Sequence, residues 1–238
     1  MKRAAGWRKV PGMRVKLLIM VCAAVAAAFV LGYKVHKWRY PPIGLDHYIA
    51  RKDAILAQVR QHRSYDYAII GDSITEYAHV PSLCGKSAFN AGIGGARIRD
   101  AAGLMAELSP ILRANTVILA IGINDAIATQ KRSDTIRADF ERLVRLARDT
   151  GAEVFAATVG PVDMTKPEGA ARDPGLVSAI NAQIRSSTED KRLIDLSATL
   201  KADDTKDGVH LTEVGAQHWR SAIEAVVCPS WSFDHTAR

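Results

Sequence analysis

Residues 67–74 read Tyr-Ala-Ile-Ile-Gly-Asp-Ser-Ile. An uncharged apolar run of this length is typical of a buried strand, and the Gly-Asp-Ser that follows predicts a tight turn into a helix. Outward from this stretch, short apolar runs alternate with longer segments of helical periodicity. This alternation predicts one α/β domain, a doubly wound and mostly parallel five-stranded sheet with helices on both faces.

The predicted elements differ in length and in hydrophobic period. The strands are short apolar runs bounded by turn residues, at 67–70, 87–90, 116–121, 154–158 and 193–196. The helices repeat apolar residues every three or four positions, at 46–63, 97–108, 133–150, 174–187 and 212–227. Residues 161–174 are rich in Pro, Gly and charge and predict a surface loop that could border a site.

The net charge of +7 is concentrated at one end of the chain. Residues 1–60 hold 12 Lys and Arg against two acidic residues, which leaves 20 basic and 23 acidic residues beyond them. The folded part is therefore slightly acidic. This distribution argues against a nucleic-acid partner, which would favour a basic surface on the domain itself.

The amino-terminal region predicts a membrane anchor. Residues 15–33 contain Lys16 as their only charged residue and are just long enough to span a bilayer, after a basic segment at 1–14. A cleavable signal peptide is the alternative, because Ala26-Ala27-Ala28 offers small residues after the basic segment. The apolar run continues past those alanines, which favours an uncleaved transmembrane helix.

The predicted orientation is that of a single-pass protein with a cytoplasmic amino terminus. Basic residues followed by an apolar segment favour export of the downstream domain, into the periplasm if the source is bacterial. Residues 34–63 then form a linker and helix, and residues 64–238 form the exported domain. Cys22 lies in the anchor, which leaves Cys84 and Cys228 as either a disulfide or two buried thiols.

Clusters of polar residues or glycines follow four of the apolar runs. Three of these clusters are polar, Gly71-Asp72-Ser73, Asn124-Asp125, and Asp207 with His210, and the fourth is the Gly94-Gly95 pair, which offers backbone N–H groups. Ligands of an open parallel sheet bind outside the carboxyl ends of its strands, so all four clusters are predicted to face one rim. Each cluster alone is an ordinary turn, but together they supply a nucleophile, a base, a carboxylate and hydrogen-bond donors.

The order and spacing of these clusters over residues 66–227 resemble the SGNH or GDSL hydrolase family of esterases and lipases. The resemblance implies a flavodoxin-like three-layer fold and acyl-ester hydrolysis without metal or other cofactor. It assigns Ser73 as the nucleophile, with the base and its partner three residues apart at His210 and Asp207. It assigns the oxyanion hole to the backbone N–H groups of Ser73 and Gly95 and the side-chain amide of Asn124.

Other functions remain open from the sequence. The acidic stretch with Asp203, Asp204, Asp207, His210 and His218 could hold a metal, but that site would leave Ser73 and Asn124 unexplained. An O-acyltransferase could use the same triad, and a membrane-tethered carbohydrate- or lipid-binding module could keep the fold without turnover. The favoured function is removal of acetyl or other small acyl groups from an envelope carbohydrate or lipid. The oligomeric state is not indicated.

Overall fold

The computed structural model describes residues 43–62, 64–129 and 135–228, together with Val21 and Val25. The predicted anchor at 15–33 and the basic segment at 1–14 lie outside these ranges, apart from those two valines. Within the described ranges, every helix is too short or too polar to cross a bilayer.

The sheet is mostly parallel, as predicted, but it has six strands. They are β1 (Ser64–Gly71), β2 (Ser82–Leu83), β3 (Lys86–Gly92), β4 (Arg113–Ala120), β5 (Glu153–Ala157) and β6 (Leu193–Ile194), in the spatial order β2-β3-β1-β4-β5-β6. Five of them pair in parallel, and β2 pairs antiparallel with β3 at one edge. The prediction of five strands was wrong because two residues are too few to show any alternation.

The last strand is shorter than the sequence predicts. The predicted strand at 193–196 ends at Ile194 because Asp195 caps a short helix, with its carboxylate accepting from Ala198 N at 3.3 Å. Leu196 therefore begins a helical turn instead of extending the strand.

The five predicted long helices are present to within three residues at either end. The described helices are α1 (Ile43–Gln61), α2 (Ser73–Tyr77), α3 (Ile98–Leu108), α4 (Ile136–Arg148), α5 (Pro167–Ala170), α6 (Pro174–Ser187), α7 (Leu196–Thr199) and α8 (Glu213–Val227). Side-chain caps fix the starts of the later ones. Thr212 accepts from Gly215 N at 2.9 Å to begin α8, and Asp173 accepts from Gly175 N at 2.8 Å to begin α6.

Both faces of the sheet are buried, as the uncharged strands predict. Alternate residues such as Ala68 and Ile70 point into a core shared with α3, α4 and α6. Their neighbours, such as Ile69, pack in a second core with Trp219 and Ile223 of α8. This two-sided burial explains why the strands read as continuous apolar runs.

The strand order places a topological switch at the carboxyl end of β1. The chain leaves β1 for β3 on one side and later returns to β4 on the other. Connections that diverge in this way open a crevice at the strand ends, where ligands of doubly wound sheets bind. Ser73 is the second residue after β1 and so lies at this crevice.

Cys84 and Cys228, left open by the sequence, form a disulfide with a Cα–Cα distance of 5.6 Å. It joins the residue after β2 to the residue that ends α8, and Cys84 N also donates to Glu224 Oε1 of that helix at 3.3 Å. The edge hairpin and the last helix are thus linked twice, by a covalent bond and by a hydrogen bond.

Loss of this disulfide is expected to destabilise the fold. The bond spans 144 residues, and closing so long a loop in the unfolded chain corresponds to about 2–5 kcal/mol of stability. Replacing both Cys84 and Cys228 by serine should therefore lower the denaturant midpoint under oxidising conditions. In the matched control, reductant should lower the midpoint of the wild type towards that of the double variant and leave the variant unchanged. Equal midpoints for the two oxidised proteins would contradict the bond.

Candidate active site

Ser73 is held at the start of α2 by the turn that follows β1. Asp72 caps the helix, with its carboxylate accepting from Ile74 N at 2.9 Å. Ser73 is almost fully buried in this turn, with 6% of its surface exposed. The side chain that the sequence singles out as a nucleophile is therefore fixed by backbone geometry and shielded from bulk water.

A hydrogen-bonded chain of three side chains leads away from Ser73. Its Oγ lies 3.0 Å from Nε2 of His210, and Nδ1 of His210 lies 2.7 Å from Oδ2 of Asp207. The other carboxylate oxygen of Asp207 accepts from His210 N at 2.8 Å and from Val209 N at 3.1 Å. The structure thus brings together the three residues that the sequence predicts, across 137 positions from Ser73 to His210.

The environment of Asp207 favours its ionised form. Partial burial raises the pKa of this carboxyl, but hydrogen bonds from the His210 backbone N–H, its imidazole and Val209 N outweigh burial and lower the pKa below its ordinary value. An ionised Asp207 accepts a hydrogen bond from a protonated Nδ1 of His210. The neutral imidazole then has no proton on Nε2, which can accept the Ser73 hydroxyl proton.

The predicted surface loop at 161–174 does border the site. This loop contains the short helix α5. There the backbone N–H groups of Glu168 and Gly169 donate hydrogen bonds to the Asp207 carbonyl, at 3.0 and 3.3 Å. Asp163 N donates to the Gly208 carbonyl at 3.1 Å. Gly208 has φ +99°, and a Cβ there would come within 2.6 Å of the Asp163 carbonyl, so only glycine fits this contact.

Besides Ser73, the predicted oxyanion donors are Gly95, in the loop after β3, and Asn124, in the helical turn after β4. Gly95 has φ +77°, a left-handed conformation that glycine adopts without strain. Asn124 is buried, and its Nδ2 donates to the carbonyl of Ala96 at 3.0 Å. This bond ties the Asn124 amide to the residue next to Gly95, while the second amide hydrogen is free to serve another acceptor.

A buried carboxyl group, Asp72, and a half-buried one, Asp125, hold the backbone around this arrangement. Burial raises the pKa of Asp72 to about 7 and that of Asp125 to about 6. Asp125 accepts from Ile98 N at 3.0 Å, which joins the Asn124 loop to the start of α3. Both groups accept hydrogen bonds from backbone amides, which fixes the turns around Ser73.

A groove of about 530 Å³ opens beside Ser73 and His210. Its lining comes from α2 and the residues after it, from the segment 206–212, and from α8. It includes Tyr77, which is 64% exposed, and Gln217. Neither Gly95 nor Asn124 lines it, so the groove lies on the histidine side of the serine. Tyr77 was not among the site residues predicted from the sequence, although it lies four residues after Ser73 on the same short helix.

The acidic stretch near the carboxyl terminus separates into two pairs. Asp204 contacts His218 at 2.8 Å, while Asp207 contacts His210. Among the residues that the structure describes, no three His, Cys, Asp or Glu side chains come together as a metal-binding group. The metal site considered from the sequence therefore has no preformed ligand cluster in this part of the chain.

A doubly wound sheet with a serine, histidine and aspartate in hydrogen-bond contact at its carboxyl edge is typical of α/β serine hydrolases. The chain belongs to the GDSL-like lipase/acylhydrolase family, whose family model matches residues 69–218. Membership confirms the family resemblance read from the sequence and makes an acyl-ester hydrolase the general class. No curated protein is significantly similar to the chain.

Several solved structures share the fold of the chain at low sequence identity. A GDSL-like lipase from Bacteroides thetaiotaomicron has 20% identity and a TM-score of 0.57, covering 76% of this chain and 95% of its own. The acetyl xylan esterase AlAXEase has 21% identity and a TM-score of 0.55, covering 68% and 98%. A carbohydrate esterase family 3 protein from Talaromyces cellulolyticus has 17% identity and a TM-score of 0.53, covering 68% and 95%.

Proposed function

We propose that the protein is a serine-dependent ester hydrolase in which Ser73 is the nucleophile, His210 the general base and Asp207 the group that orients the histidine. The observation that carries this proposal is the continuous hydrogen-bonded chain from Ser73 Oγ through His210 to Asp207. Contacts of 3.0 and 2.7 Å are within the reach that proton transfer requires.

In the proposed reaction, His210 Nε2 takes the Ser73 proton as Oγ attacks the ester carbonyl. The tetrahedral oxyanion is held by the N–H groups of Ser73 and Gly95 and by the Asn124 amide. The intermediate collapses to an acyl-serine as His210 gives its proton to the departing alcohol. Water, deprotonated by His210, then attacks the acyl-serine. His210 returns that proton to Ser73 Oγ as the carboxylic acid leaves, which regenerates the free serine. No metal or organic cofactor enters these steps.

The alcohol part of the ester is proposed to occupy the groove lined by Tyr77. Because His210 protonates the leaving oxygen, the alcohol departs on the histidine side of Ser73, where this groove lies. Its lining is apolar at Ala216 and Leu211, whereas Gln217 and Lys206 supply polar groups. A sugar ring has an apolar face and a rim of hydroxyls, which matches this distribution better than an alkyl chain does.

We therefore favour acetyl or another small acyl group on a carbohydrate over a lipid as the substrate. Two relatives of the same fold, named as an acetyl xylan esterase and a carbohydrate esterase, are consistent with that choice. The proposed location is outside the cytoplasm, tethered by residues 15–33. The Cys84–Cys228 disulfide supports this location, because such bonds persist in oxidising compartments.

Hydrolysis of p-nitrophenyl esters tests the proposed activity. The full-length protein should cleave the acetate faster than longer acyl chains, and a fluorophosphonate should label Ser73 and stop turnover. Faster cleavage of long acyl chains would contradict the proposed preference for small acyl groups but would still support an ester hydrolase. A folded protein that neither cleaves any ester nor reacts with fluorophosphonate would refute the hydrolase and favour a binding module.

Tyr77→Ala is expected to reduce the preference for a sugar ester. Loss of an aromatic face corresponds to about 0.5–1.5 kcal/mol, or between about two- and tenfold in kcat/KM. The measured quantity is the ratio of kcat/KM for glucose pentaacetate to that for ethyl acetate, whose alcohol is too small to fill the groove. Tyr77→Phe should keep the ratio, as should Val214→Ala on an exposed part of α8 outside the groove. An unchanged ratio in Tyr77→Ala would remove Tyr77 from the binding site.

A further inference from the structure

We propose that Glu76 is a positioning residue that sets the Gly94–Gly95 loop, and with it the Gly95 N–H, relative to Ser73. The inference rests on the proposed function, in which Gly95 is an oxyanion donor. Neither the sequence motifs nor the family match assigns a role to Glu76.

The central contact is a short hydrogen bond between the nucleophile helix and the loop. Glu76 Oε2 accepts from Gly94 N at 2.6 Å. Glu76 lies three residues after Ser73 on α2, and its side chain is only 12% exposed. One helical turn thus carries both the nucleophile and the acceptor that holds the Gly94 N–H, one residue before the proposed Gly95 donor.

Helix α1 fixes Glu76 from the other side. His47 Nε2 lies 3.0 Å from Glu76 Oε2, and Arg51 Nε lies 3.7 Å from Oε1. The Arg51 guanidinium also donates to the carbonyls of Asn90 and Gly92, each at 3.0 Å. A carboxylate with partners on both oxygens has little freedom to rotate, which makes it a rigid support for the Gly94 amide.

The start of the same loop is held without Glu76. Asn90 donates from Nδ2 to the Thr75 carbonyl at 2.7 Å and accepts from Gly92 N at 2.9 Å. The end of β3 therefore stays attached to α2 when Glu76 is altered. Removing the Glu76 carboxylate frees the peptide unit at Gly94 and Gly95 but leaves the strand in place, so the effect should fall on catalysis more than on folding.

The expected effect is a selective loss of kcat. Misplacing a catalytic group by about 1 Å can cost on the order of 10²-fold, and complete loss of one oxyanion donor costs roughly 10²- to 10³-fold. Glu76→Ala should therefore lower kcat between about ten- and a hundredfold. KM should change less than about threefold, because the oxyanion contact forms in the transition state and not in the bound ester.

Two further variants separate the reach of the side chain from its charge. Glu76→Gln keeps the length and a carbonyl acceptor for Gly94 N, and it should recover most of kcat. Glu76→Asp keeps the charge near Arg51 but is one methylene too short to reach Gly94 N, and it should lose kcat as Glu76→Ala does. Glu107→Ala is the matched control, because Glu107 also pairs with α1, through Lys52 at 2.9 Å, without contacting the loop.

The experiment measures kcat, KM and the thermal midpoint for the wild type and these four variants on p-nitrophenyl acetate. A loss of kcat in Glu76→Ala and Glu76→Asp, recovered in Glu76→Gln and absent in Glu107→Ala, supports the inference. Folded Glu76→Asp with wild-type kcat overturns it, even if Glu76→Ala fails to fold. Wild-type turnover that does not require Ser73 would instead overturn the proposed function.

Discussion

Replacing Ser73 by alanine is expected to lower kcat by roughly 10⁵- to 10⁶-fold, the scale seen when a serine nucleophile is removed from a triad. In the proposed mechanism, the Ser73 hydroxyl is the atom group that bonds to the acyl carbon. Its side-chain partner is His210 Nε2, and that histidine is about a quarter exposed, so water can replace the lost contact. Stability should therefore change by less than about 1 kcal/mol.

The measurement compares turnover of p-nitrophenyl acetate, fluorophosphonate labelling and the thermal midpoint. Ser178→Ala is the matched control, since Ser178 is an exposed serine on α6, away from the residues that line the groove. We expect wild-type turnover and labelling from the control and neither from Ser73→Ala. A folded Ser73→Ala protein that keeps a tenth of wild-type turnover would show that another group attacks the ester.

The fold was predictable where a pattern repeats over many residues. The run from Tyr67 and the apolar period of α6 are such patterns, and both elements occur where the sequence indicates them. The edge strand at Ser82–Leu83 is too short to repeat anything. The end of β6 depends on a single residue, Asp195. Its side chain caps α7, so the chain turns into a helix instead of continuing the strand.

The candidate site was predictable for a different reason. Parallel topology brings the residues after each strand to one rim, so Ser73 and Asn124 could be grouped before any distance was known. His210 lies beyond α7, well past the end of β6, and its place at the same rim depended on the family resemblance. Glu76 and Tyr77 could not be identified in this way, because Glu76 contacts α1 and Tyr77 shares a groove with α8, and no local spacing records that arrangement. The sequence offered only a weak indication of a site role for them, which is their position one helical turn after Ser73.

Exchange of Asp207 for asparagine is expected to lower kcat by roughly 10³- to 10⁴-fold while leaving the fold intact. Asparagine Oδ1 can still accept from the backbone N–H groups of Val209 and His210, so the turn should keep its shape. Its Nδ2, however, would donate towards His210 Nδ1, and that bond requires the tautomer with the proton on Nε2. A protonated Nε2 cannot accept the Ser73 proton, so the base is lost although the histidine remains in place.

Asp204→Asn distinguishes this electronic effect from simple support of the loop. Asp204 pairs with His218 at 2.8 Å and accepts from Lys201 N at 2.8 Å, so it resembles Asp207 in chemistry and lies three residues before it. Because hydrogen bonds with Lys201 and His218 lower the pKa of Asp204, its contribution to stability is present at neutral pH and is lost as the pH falls through the depressed folded-state pKa. Asp204→Asn should therefore lower the thermal midpoint at pH 7 and change kcat less than about threefold. The pKa of Asp207 is lowered as well, so Asp207→Asn should also lower the midpoint, but it should reduce kcat by roughly 10³- to 10⁴-fold. The difference in kcat, not in midpoint, separates the two variants. Equal losses of kcat in the two variants would mean that Asp207 acts by holding the loop and not by setting the histidine tautomer.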